Sequence, residues 1–189
     1  MVSTKYVKDY RMDTETDKKG RVKRKMVYVG PYYIWEMSTA EVKKLRAICL
    51  AALFAQWILF IGSMCFYNDI SRNWYVILPY VCLSLALVFQ SMAVWNLCTA
   101  KQPMHRETKD KTCERMKSAA FCGMILSFLA LIGETVACIK FAEKFKTADY
   151  LFVSATVVLF ALLLYGFKVS KRLTVSEQEN PVAGEWKNK

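Results

Sequence analysis

Charge and hydrophobicity are segregated into blocks along this chain. Residues 47–67, 74–98, 119–139 and 150–167 form four apolar runs, and Glu134 is the one charged side chain within them. Each run has the length a helix needs to cross about 30 Å of hydrocarbon at about 1.5 Å per residue. One or two such runs fit inside a large soluble protein. Four of them in 189 residues leave too little polar chain to cover them. The expected fold is an all-α integral membrane protein, a four-helix bundle running up-down-up-down, with a small N-terminal β-hairpin. The expected organisation is a basic, aromatic segment over residues 1–38, a transmembrane domain over 39–168 and a polar tail over 169–189.

The basic residues set the orientation. Residues 1–46 hold twelve Lys and Arg, the 68–73 turn holds only Arg72, the 99–118 loop holds six, the 140–149 loop holds three and the tail holds five. Positive residues stay on the cytoplasmic side, so both termini are expected inside the cell, in a multi-pass protein of the cell membrane. The net charge of +11 is largely this asymmetry, and no nucleic-acid partner is expected. The first apolar run follows a long charged segment, unlike a signal peptide.

Residues 1–46 are rich in aromatics: Tyr6, Tyr10, Tyr28, Tyr32, Tyr33 and Trp35. Disordered segments are poor in them. Tyr6, Tyr10 and Met12 alternate along one run, and Val22, Met26 and Tyr28 along another. The turn formers of Thr14–Gly20 lie between, which predicts a hairpin. Gly30 and Pro31 then break the second strand. The hairpin carries Lys18, Lys19, Arg21, Lys23, Arg24 and Lys25, six cations within eight residues. Two readings stand: docking to anionic lipid headgroups, or a solvated edge whose lysines discourage strand pairing.

Ser38-Thr-Ala-Glu41 has the spacing of a capping box and predicts one helix from Thr39 to about Tyr67. Pro103 is expected to end the stretch after the second run, and Thr108 or Thr112 to cap the helix leading into the third. Six residues between the first two runs force an antiparallel pair.

Glu134 is the candidate intramembrane site. Gly123, Ser127, Ala130, Glu134 and Ala137 recur at spacings of four and three, so they share one face of the helix. The other members are small, which lets a neighbouring helix approach closely in lipid. Ser63, Tyr80, Ser154 and Thr156 lie at the same depth, and each is a hydroxyl able to donate to a carboxylate. Two readings remain open: an acid that ties helices together, or a functional site.

Other chemistry is not signalled. The seven cysteines form no Cys-x-x-Cys pair, and His105 is the only histidine. No metal, haem or other cofactor site and no catalytic group is expected. A solvated His105 is expected in the basic loop. The function expected is that of a non-enzymatic subunit engaging a membrane-protein partner, a second copy of itself or the lipid surface. The alternative is a transporter of a small solute or a proton-coupled cation that uses Glu134.

Overall fold

The computed structural model describes residues 4–16, 22–65, 72–140 and 146–178. Four long helices dominate: α1 Thr39–Cys65, α2 Trp74–Thr99, α3 Arg106–Lys140 and α4 Thr147–Lys171. All four are long and apolar enough to cross a membrane. They form a ring in which α2 packs on α1 and α3, and α4 on α3 and α1.

The start of α1 is fixed by its own residues. The Ser38 amide and hydroxyl both donate to the Glu41 carboxylate at 2.9 Å, and the Glu41 amide returns a bond to Ser38 Oγ at 3.3 Å. The capping box is therefore formed, and these bonds, led by the one from the Ser38 backbone, hold the Glu41 carboxyl below its usual range. The same end of the α1–α2 pair is tied as well: the Arg46 guanidinium donates to the Ala100 carbonyl at 2.9 Å, a cation at the C-terminus of α2.

Helix α3 starts earlier than expected. It begins at Arg106, and a π turn over Asp110–Glu114 interrupts it. Neither Thr108 nor Thr112 caps it. Thr112 is fully buried inside the π turn.

The hairpin is present. Strands β1 (Tyr10–Thr16) and β2 (Val22–Tyr28) pair antiparallel with Tyr10 opposite Tyr28 and Met12 opposite Met26. A second sheet is an addition that the hydrophobic pattern does not announce. Strand β3 (Tyr32–Trp35) lies between β4 (Met104–His105) and β5 (Val175–Gln178). Residues 169–178 are thus no loose tail: α4 continues to Lys171, and β5 lies along β3. The fold is mostly helical with two small sheets, rather than all-α with one hairpin.

This second sheet orders the bundle. β3 precedes α1, β4 joins α2 to α3, and β5 follows α4. One end of the bundle therefore holds the start of α1, the end of α2, the start of α3 and the end of α4, so the helices alternate in direction. Tyr33 and Trp35 project from β3 into the helix ends, where they are buried with Val42, Leu97, Met116 and Val169. Burying each such side chain contributes roughly 1.5–3 kcal/mol, which anchors a sheet too small to stand alone.

Candidate functional site

The seam on α3 is formed as its spacing predicts. Gly123, Ser127, Ala130, Glu134 and Ala137 are all buried, and Glu134 is 1% exposed. Val76, Tyr80 and Phe152 close around it with Ala130 and Ala137. Tyr80 stacks on Phe60 with ring centres 4.8 Å apart and leans against Phe152 at 5.4 Å.

The hydroxyls at this depth are brought near but engaged elsewhere. Ser63 donates to the Phe60 carbonyl at 2.9 Å, and Ser63 and Tyr80 share a short hydroxyl–hydroxyl bond. Tyr80 also reaches the Phe60 carbonyl at 3.4 Å, so both hydroxyls are occupied with that carbonyl and with each other. Thr156, the polar side chain acting most directly on Glu134, donates to the Phe152 carbonyl at 3.0 Å. Ser154 does not belong to the group: it is exposed on α4 and donates to the Leu151 carbonyl at 2.9 Å. An offset of two residues from Thr156 turns its side chain to another face of the helix. Neither Glu134 oxygen has a well-formed hydrogen bond among the described residues.

A second polar pair lies deeper. Gln56 on α1 and Gln90 on α2 are 0% and 4% exposed. Both amides converge on Gly166 of α4, where a Cβ would stand 3.5 Å from Gln90 Nε2 and 3.8 Å from Gln56 Nε2. Their residue type and depth are visible in the sequence; their meeting is not, because α1, α2 and α4 are far apart in the chain.

The third cluster joins the N-terminal segment to the start of α3. The Asp110 carboxylate, in the π turn, accepts from Lys5 Nζ at 2.7 Å and from Tyr6 Oη at 3.1 Å. Burial pushes the Asp110 carboxyl up, but the bonds from Lys5 and Tyr6 outweigh it, and the group lies below its ordinary range. The same hydrogen bond holds Lys5 above its own. Tyr28 Oη accepts from the Arg106 amide at 3.0 Å and donates to the Pro31 carbonyl at 2.8 Å. Burial raises the Tyr28 phenol. His105 is stacked on Tyr28 with ring centres 4.1 Å apart and planes 6° from parallel. It is thus half-buried in an aromatic cluster, not free in solvent. Its strand pairing with Tyr32 puts it there.

Of the basic hairpin residues, Lys18, Lys19 and Arg21 lie outside the described residues. Lys23 is in β2, and Arg24 and Lys25 are exposed on it. Hairpin side chains Met12, Val22 and Met26 are 70%, 67% and 57% exposed. The cysteines are free thiols, and no group of three His, Cys, Asp or Glu side chains able to hold a metal occurs among the described residues. No family model, curated protein or solved structure matches the chain.

Proposed function

We propose that the chain is a multi-pass protein of the cell membrane, with both termini and the two sheets in the cytoplasm. Its role is that of a non-enzymatic interaction subunit, whose sheet-bearing face receives a membrane-associated protein. Exposed Trp74 near one end of the bundle and Trp95 and Tyr165 near the other suit the aromatic belts of a bilayer. The excess of basic residues at the sheet-bearing end supports a cytoplasmic placement there.

The observation that carries the interaction reading is the closure around Glu134. The only charge within the apolar runs sits in a packed seam, 1% exposed, between side chains that are themselves almost fully buried. A transport site needs access from either side. The sheet face, by contrast, is assembled from three separate parts of the chain and fixed to the helix ends, while the hairpin presents Met12, Val22 and Met26 beside cations. Exposed methionines adapt to varied partner surfaces. Anionic headgroups are a second partner of this basic edge.

Affinity purification of the tagged full chain in mild detergent, read by mass spectrometry, tests the role. A protein recovered in stoichiometric amount, and lost from a variant with Met12 and Met26 replaced by Ser, is the expected result. Recovery of no partner overturns it. Transport remains as a second reading because the Glu134 oxygens are buried without well-formed hydrogen bonds. Proton flux into proteoliposomes that disappears in Glu134→Gln would establish it. An N-terminal tag reachable from outside intact cells would overturn the orientation.

A further inference from the structure

A recess of about 530 Å³ opens where α2 ends and α3 begins. It is separate from the Glu134 seam, and His105 on its wall stacks on Tyr28 of the hairpin. Asn96 and Thr99 from the last turns of α2 line it, with Lys101, His105, Glu107 and Lys111 around them. Its charges are of both signs. Glu107 and Lys111 pair with each other at 2.5 Å, one helical turn apart, and stay 24% and 46% exposed. Lys101 stands exposed in the connection between the helices.

The surface beside the recess is apolar. Met92 and Trp95 lie four residues before Asn96 and Thr99 and so share their faces of α2. They are 48% and 69% exposed, and Leu85, Val88 and Phe89 continue the exposed strip toward the middle of the helix. A polar recess with mixed charge therefore sits directly on an apolar track. A simple anion suits this recess poorly, because Glu107 lies within it. A molecule with a phosphate, an ammonium group and a hydrocarbon tail suits every part.

We propose that this recess is a binding site for a phospholipid with a phosphoethanolamine headgroup. Lys101 and Lys111 take the phosphodiester, Glu107 takes the primary ammonium, and an acyl chain lies along Met92 and Phe89. The headgroup trades the Glu107–Lys111 pair for two intermolecular pairs, Glu107 with the ammonium and Lys111 with the phosphate, and Lys101 adds a second cation to the phosphate. The site rests on the membrane placement proposed above but not on any protein partner.

The test uses the full chain in micelles doped with equal amounts of phosphatidylethanolamine, phosphatidylcholine and phosphatidylglycerol, read by native mass spectrometry. Phosphatidylethanolamine is expected to be retained about three- to fivefold over either competitor, the size of effect a half-exposed ion pair gives. Glu107→Gln is expected to erase that preference, and Lys101→Met with Lys111→Met to lower retention of all three lipids. Equal retention of the three lipids by the unmodified protein overturns the site, whatever the variants do. Soluble phosphoethanolamine that strips the bound lipid would show that the headgroup chemistry is right and the lipid source wrong. A chain that stays dispersed without detergent sinks the membrane placement along with the site. A detergent-dependent chain with no lipid preference sinks the site alone.

Discussion

The carbonyl oxygen of Tyr75 lies 2.7 Å from the point where a Cβ on Gly133 would stand. Pro79, inside α2, explains why this oxygen can serve a neighbour. It has no N–H, so the carbonyl four residues earlier loses its ordinary helical donor. Helix α3 comes against that carbonyl with its glycine, one position before Glu134. The close approach of α2 and α3 thus depends on a proline in one and a glycine in the other.

Gly133→Ala is expected to force the two helices apart and to cost about 1–3 kcal/mol. Gly62→Ala provides the comparison, since a Cβ there meets nothing within 4 Å. It removes a flexible residue from a helix and is expected to be neutral or stabilising by up to about 1 kcal/mol. Thermal unfolding in detergent reads both. Equal shifts for the two variants would refute the contact.

Glu134→Gln is expected to change stability by less than about 1 kcal/mol, because the amide keeps the shape of the side chain and its neighbour Thr156 already donates to the Phe152 carbonyl. Glu134→Lys places an ammonium among Val76, Phe152 and Ala137 and is expected to cost more than about 3 kcal/mol. Monodispersity and thermal unfolding separate them. A Gln variant as damaged as the Lys variant would mean that the carboxyl group makes a bond essential to the fold.

The four helices and the α3 seam are legible because hydropathy and small-residue spacing are local properties of the chain. Glu134 is legible for the same reason: one charge in an apolar run stands out. Ser154 is misplaced by reasoning from depth alone, since depth says nothing about which face a residue occupies. The second sheet is illegible for a different reason. β4 has two residues and β5 four, too short for any alternation to register. What makes them strands is β3, reached across the whole bundle. His105 is misread with them, since its surroundings come from Tyr28 and Tyr32.

The clasp on Asp110 has a defined pH window. The folded-state value of this carboxyl is lowered, so its contribution is present above the usual carboxylate value of 3.8 and is lost as pH falls through the folded value. Lys5 is raised, so its contribution is complete below 10.5 and is lost as pH climbs past the folded value. Amide exchange across Thr4–Asp9 is expected to show constant protection, after correction for intrinsic rates, from about pH 5 to 9. Asp110→Asn is expected to accelerate that exchange several-fold while leaving α2 and the second half of α3 unchanged. A variant indistinguishable from the parent would mean that the N-terminal turn is held by Asp9 and Tyr6 packing alone.

Truncation after Arg172 removes β5 and leaves α4 intact. β3 then keeps β4, which pairs with it only at Tyr32 and Tyr33, while Ile34 and Trp35 lose their partners Ser176 and Val175. The bond from the Glu36 amide to the Thr174 carbonyl, at 3.3 Å, goes as well. Exchange at Ile34–Glu36 is therefore expected to rise well above that at Tyr32–Tyr33, with Ala130–Ala137 unaffected. The graded response distinguishes a strand held along its length by β5 from one held by its side chains. If Tyr33 and Trp35 alone anchor β3 in the helix ends, truncation leaves all five amides equally slow. Trp35→Ala, at a cost of about 3–5 kcal/mol, then becomes the change that frees the sheet.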